Sequence, residues 1–123
     1  MKILIIEPEK VPYTKTINGT LKEMQSIVGG TIQVLYPFPE EVALVCNDEG
    51  KLIGLPANRG LFDESGELYD IICGTFFVCG APADSDKFKS LTQEQSEQFQ
   101  TRFHSPEMFV RIGNKLLCLP MKG

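Results

Sequence analysis

Leu61-Phe62-Asp63-Glu64-Ser65-Gly66-Glu67-Leu68-Tyr69-Asp70-Ile71-Ile72, followed at once by Cys73-Gly74-Thr75-Phe76-Phe77-Val78-Cys79, is the stretch that decides the fold. Asp63 to Gly66 is turn chemistry set between two apolar-rich runs, which reads as a hairpin. Thr75 to Cys79 is an unbroken apolar run, the pattern of a strand covered on both faces. Strands that succeed one another across such short turns belong to an antiparallel sheet.

The same grammar extends in both directions. Upstream, Val42 to Cys46 is continuously apolar, Asn47-Asp48-Glu49-Gly50 is a turn, and Lys51 to Leu55 is expected to return as a strand. Its turn echoes the one at Asp63 to Leu68, either as a duplicated binding loop or as two turns of similar composition. Thr31 to Tyr36 alternates and stops at Pro37-Phe38-Pro39, where proline forbids a central ladder. Lys2 to Glu7 and Tyr13 to Ile17 read as two further strands. Thr20 with Glu23 is the signature of a capping box, and Leu21, Met24, Ile27 and Val28 share one helical face, giving a helix over about 20–29. Ser90 with Gln93 suggests a second capping box opening a helix over about 91–104, with a narrow stripe of Leu91, Phe99 and Phe103. Glu107 to Ile112 and Lys115 to Leu119 flank Gly113-Asn114, a two-residue hairpin closure, so 107–120 forms a C-terminal β-hairpin. The expected class is α+β: a mainly antiparallel sheet of short strands with two helices, in one globular domain spanning 1–123.

Composition excludes several function classes. The chain has 123 residues, 42% of them hydrophobic and 23% charged, enough to bury a core without metal or disulfide staples. Its formal net charge is −4 and no basic stripe appears, which argues against direct nucleic-acid binding. The apolar start breaks at Glu7-Pro8, too early for a signal peptide, and the run from Ile71 to Pro82 is too short to span a bilayer, so a cytoplasmic protein without membrane contact is expected. Cys46, Cys73, Cys79 and Cys118 sit in apolar runs at separations of 27, 6 and 39, which match no zinc motif. They read as reduced core residues, with no metal and no cofactor implied.

Catalytic signatures are scarce. No nucleophile elbow, P-loop or zinc-helix motif occurs, and His104 is the one histidine, placed at a helix end where an imidazolium suits the dipole. No residue is therefore assigned to catalysis. Among the carboxylates, Glu7 and Asp70 adjoin buried strands, where burial would raise a carboxyl pKa, although strand alternation equally offers each a solvated face.

The segment Gly54-Leu55-Pro56-Ala57-Asn58-Arg59-Gly60 is the leading binding-loop candidate. Asn58 offers an amide that reads hydrogen-bonding edges, and Arg59 a planar fork suited to phosphate or carboxylate. Tyr36 and Phe38 flank Pro37 and are expected to supply an aromatic platform, with Asp70 as a further contact. The opposing reading has Arg59 anchoring the loop by capping carbonyls, and Tyr-Pro-Phe-Pro as an edge-strand terminator.

These same residues carry a resemblance. Lys2-Ile3-Leu4-Ile5-Ile6-Glu7-Pro8, Thr20-Leu21, Met24-Gln25, Ile27-Val28-Gly29-Gly30 and Tyr36-Pro37-Phe38 resemble domain-of-unknown-function family 3846. So do Val45-Cys46-Asn47, Gly54-Leu55-Pro56, Asn58-Arg59, Tyr69-Asp70-Ile71-Ile72 and Gly74-Thr75-Phe76-Phe77. The likeness runs over about Met1 to Val78 and more loosely to Phe103, with Cys73 where a small residue such as alanine is expected; it does not reach the hairpin after Pro106. The family is associated with phages, conjugative elements and the bacteria that carry them. It implies a protein that meets host defence in the host cytosol, in one of three ways. One is a non-enzymatic sponge that sequesters an anionic, nucleotide-like signal. The second is an inhibitor that docks on a host defence or restriction protein, and the third a small carboxylate-dependent hydrolase. Many strands in a small chain also leave sheet edges, so a homodimer or higher homo-oligomer is expected.

Overall fold

The computed structural model describes residues 1–121; of the expected 1–123 domain, residues 122 and 123 lie outside the described residues. The observed class is α+β, with two helices and nine strands among the described residues, every strand pair antiparallel.

Five strands form the main sheet: β1 (Lys2–Ile6), β2 (Tyr13–Thr16), β3 (Ile32–Leu35), β4 (Val42–Asn47) and β7 (Phe76–Gly80), in the order β2-β1-β7-β4-β3. The continuous apolar runs occupy its centre, because only a strand covered above and below buries every side chain; β4 and β7 are buried at every position. Period-two alternation then sorts the residues into two cores. One face carries Ile3, Ile5, Ala43, Val45, Phe77 and Cys79 and is covered by Met24 and Val28 of α1 (Leu21–Val28). The other carries Leu4, Ile6, Leu44, Cys46, Phe76 and Val78. It is covered by Phe99 and Phe103 of the α2 segment (helix Gln93–Arg102) and by a second sheet, β5 (Ala57–Phe62) with β6 (Leu68–Cys73). The third sheet is the hairpin of β8 (Glu107–Ile112) and β9 (Lys115–Pro120). Gly113 opens its two-residue turn at φ 61°, the backbone that a tight hairpin closure demands.

Both helices form where expected, with one shifted cap. Thr20 Oγ1 accepts from the Glu23 N–H, and Glu23 Oε1 reaches back to the N–H groups of Asn18 and Gly19. The second box is built by Thr92 and Gln95, two residues beyond the expected Ser90 and Gln93. Ser90 is otherwise engaged: its hydroxyl accepts from the Lys2 N–H at 2.8 Å, and the Leu91 N–H donates to the Lys2 carbonyl, so the chain stays extended there.

Two segments depart from the sequence reading. Lys51 to Leu55 does not return as a strand. It coils into consecutive turns, with Ile53 N–H donating to Glu49 O and Leu55 N–H to Gly50 O. Leu52 is left 87% exposed on these turns. The supposed loop at 54–60 is in large part strand β5, which pairs with β6 through an irregularity between Ala57 and Arg59. Asn58 is the extra residue of that bulge, and the break in alternation turns both Asn58 and Arg59 inward.

Candidate functional site

The bulge removes two of the expected ligand contacts from solvent. Asn58 is fully buried, its amide donating to the carbonyls of Ile6 and Gly74 at 2.9 Å each. Arg59 is 1% exposed. Its Nε and Nη2 donate to the Phe103 carbonyl, Nη2 also to Lys10 O at 2.7 Å, and Nη1 to the carbonyl and Oδ1 of Asn58. The guanidinium thus ties the end of α2, the β1–β2 connection and β5 into one body. Burial pulls its pKa below the usual value, while the nearby Glu107 pulls it back up. Of the two readings of Arg59, the carbonyl-capping one describes this geometry.

The aromatic pair also separates. Phe38 is buried against Phe99 and Phe103, with ring centroids 4.9 and 6.0 Å away, and the Arg102 guanidinium stands 4.6 Å from its ring centre. It is a core residue and offers no platform. Tyr36 is exposed beside a shallow depression of about 230 Å³ formed with the segment from Ala81 to Phe88. Glu7 faces Lys10 at 3.9 Å and the hydroxyl of Tyr13, whose pKa is raised by burial and by that carboxylate. His104 is exposed just past α2.

Asp70 alone of the five expected contacts lines a substantial cavity. Two clefts meet at it. The smaller, about 300 Å³, lies between the ends of β3 and β4, the 47–52 turn and β6, and is lined by Gln33, Asp48, Glu49 and Lys51 among others. The larger, about 640 Å³, lies between β6 and the C-terminal hairpin, with apolar walls of Leu68, Ile71, Phe109 and Leu116 and with Tyr69 at its side. Lys51, Asp70, Ile71 and Cys73 border both. The Lys51 ammonium donates to Asp70 Oδ1 across the junction, and the same oxygen accepts from the Ile71 N–H at 2.8 Å. Lys51 is held near β6 because its neighbour Gly50 packs directly on the strand: a Cβ there would lie 2.7 Å from the Cys73 carbonyl oxygen.

Lys51, Phe109 and Leu116 were not flagged by the sequence. Lys51 read as a strand residue, and the hairpin residues read only as a local hairpin; no short-range pattern encodes their convergence with β6. The apolar alternation Phe109, Leu116 and Cys118 was the available signal that the hairpin has an inner face.

Thiol chemistry is poorly served here. All four cysteines are free. Burial pushes Cys46 up to about 11, helped by Asp70 and Asp48, and burial raises Cys73 as well. Such thiols stay protonated at neutral pH, and the thiolate is the nucleophile. Among the described residues, no three His, Cys, Asp or Glu side chains gather as a metal site would require, and no helix is long and apolar enough to cross a membrane.

Fold and cleft together define a class, a small α+β protein with a ligand-sized cavity bordered by one ion pair. The chain belongs to the family described as Domain of unknown function (DUF3846), whose profile matches residues 1–104. The match runs through β1 to α2 and stops before the β8–β9 hairpin. No curated protein and no solved structure matches the chain.

Proposed function

We propose that the protein is a non-enzymatic ligand-binding protein that holds a small nucleotide-type molecule in the double cleft around Lys51 and Asp70. The observation that carries this reading is the cleft itself. Its larger lobe of about 640 Å³ falls in the size range of small-molecule sites, and a few polar groups converge on a largely apolar wall. The exposed cation needed for a phosphate is supplied by Lys51, since Arg59 is spent on carbonyls. Stoichiometric binding without turnover would sequester a signal of host defence in the cytosol, the role suited to a phage or mobile-element protein. The test is to incubate the purified protein with cell-extract nucleotides, wash, and identify by mass spectrometry what remains bound. Intact nucleotide retained by the wild type and lost in Lys51→Ala supports the reading. Altered nucleotide would assign an enzyme, and nothing retained would refute it.

A second reading, an inhibitor that docks on a host defence protein, is favoured by the outer face of the hairpin. Met108, Ile112, Leu117 and Leu119 are all exposed there, an unusual concentration of apolar side chains for two short strands. Self-association belongs with it as a proposal: β2 and β3 end the main sheet with open edges. Light scattering that finds only a 13.7 kDa species at micromolar concentration would exclude it.

A further inference from the structure

The charges around the double cleft narrow the class of ligand. Among the described residues, Asp48, Glu49 and Asp70 border it against one ammonium, that of Lys51. A polyphosphate would meet excess negative charge, whereas a group rich in N–H donors would not. Asp70 stands at the junction of the lobes with accepting capacity to spare. Its Oδ1 takes the Lys51 ammonium and the Ile71 N–H, and no donor among the described residues reaches its Oδ2. A carboxylate only accepts, with about four lone-pair sites over its two oxygens. The adjoining wall, with Phe109, Leu68 and Tyr69, suits the flat face of a ring.

Resting on the nucleotide reading above, we propose that the cleft recognises a guanine-type base carrying no more than one phosphate group. Guanine presents two adjacent N–H donors on one edge, which pair with the two oxygens of a carboxylate. Adenine sets a ring-nitrogen lone pair beside its single donor group and would turn that lone pair toward Asp70. Occupation of Asp70 by the base frees Lys51, which is 62% exposed and able to swing onto the phosphate. Base and phosphate therefore exchange the internal ion pair for a pair of hydrogen bonds from the neutral base to the carboxylate and one ion pair between Lys51 and the phosphate.

The experiment is calorimetric titration of the full chain with guanosine, inosine and adenosine 5′-monophosphates and with guanosine triphosphate. Guanosine monophosphate should bind roughly tenfold to a hundredfold more tightly than the adenosine compound, the worth of a hydrogen bond to a charged group. The inosine compound, which keeps one donor of the pair, should fall between them, and the triphosphate should bind more weakly than the monophosphate. Asp70→Asn, its fold checked by a melting curve, should erase the guanine preference. Equal binding of guanosine and adenosine monophosphates, lost in Lys51→Ala, would overturn the base assignment and leave the nucleotide reading standing. No binding of any of them would overturn the base assignment, and would overturn the nucleotide reading as well where the extract experiment also retains nothing. Inosine monophosphate reports on the donor pair with the protein unaltered, so a misfolded variant cannot mask the outcome.

Discussion

Replacing Arg59 by alanine is expected to cost stability and to spare the cleft, the reverse of what an exposed loop arginine would do. The guanidinium is the donor to the carbonyls of Lys10, Asn58 and Phe103 and to Asn58 Oδ1. Each hydrogen bond to a charged group is worth about 1.5–3 kcal/mol. The sum overstates the loss, because the substitution also removes a cation that is nearly withdrawn from water. A net loss of about 3–5 kcal/mol is expected, since the neutral acceptors on three segments lose their donor at about 1–3 kcal/mol for each one left unsatisfied inside the fold. That is a large part of the roughly 5–15 kcal/mol that holds a domain together, and it should lower the Tm by about 10–20 °C. Arg59→Lys keeps one ammonium that cannot span carbonyls on three different segments, so it should recover only part of the loss. Urea denaturation and scanning calorimetry on the three proteins measure this directly. Ligand titration at a temperature where all three are folded should give unchanged affinity. A melting shift of only about 2 °C, as for an ordinary surface residue, together with lost binding, would refute the reasoning and return Arg59 to the site.

Alkaline pH should unfold the protein more readily. Burial raises the Cys46 and Cys79 thiols to about 11 and about 12, so their contribution is complete below pH 9 and is lost as pH climbs toward those folded values. Urea midpoints measured from pH 8 to 11 should fall, and the fall should be shallower in Cys79→Ala; a flat profile in the wild type would refute this. Gly50→Ala should force the 47–54 turn off β6, since its methyl group meets the Cys73 carbonyl at 2.7 Å, costing about 1–3 kcal/mol. Unchanged stability and unchanged nucleotide binding in that variant would show that the turn is not held where the cleft requires it.

The two buried strands were legible because covering a sheet on both faces favours an unbroken apolar run, and Val42 to Cys46 and Phe76 to Gly80 show that signature plainly. Helix α1 was legible because its cap, apolar face and Gly29 stop all lie within ten residues. Arg59 was misplaced for a physical reason. Asn-Arg-Gly is good turn composition, and only the long-range carbonyls of Ile6, Lys10, Gly74 and Phe103 make its burial tolerable. Nothing local announces acceptors that lie 16 to 52 residues away. Phe38 was misplaced likewise, because the prolines around it do end an edge strand while its ring is captured by α2. Asp70 stands where β6 borders both lobes of the cleft, but its partner Lys51 depended on a turn that composition made look like a strand.

The C-terminal hairpin gives the cleft a meaning that the family match alone does not. Residues 1–104 supply Lys51, Asp70 and the β6 wall, but the opposite wall of the larger lobe is Phe109 and Leu116, outside the matched span. The hairpin is fastened to β5 through Glu107, whose Oε1 accepts from the Gly60 N–H at 2.7 Å. Cys118 packs close above Gly60, where a Cβ would lie 3.2 Å from its sulfur. Burial and the Glu107 carboxylate raise that thiol to about 12, so it stays an uncharged packing group. The polar junction is therefore set by the family body, while the volume and apolar character of the adjoining lobe are set by an added element. On the ligand reading proposed above, a change of hairpin should reshape the apolar wall that a ring would lie against, while the Lys51–Asp70 pair and the donor pattern that Asp70 selects stay as they are.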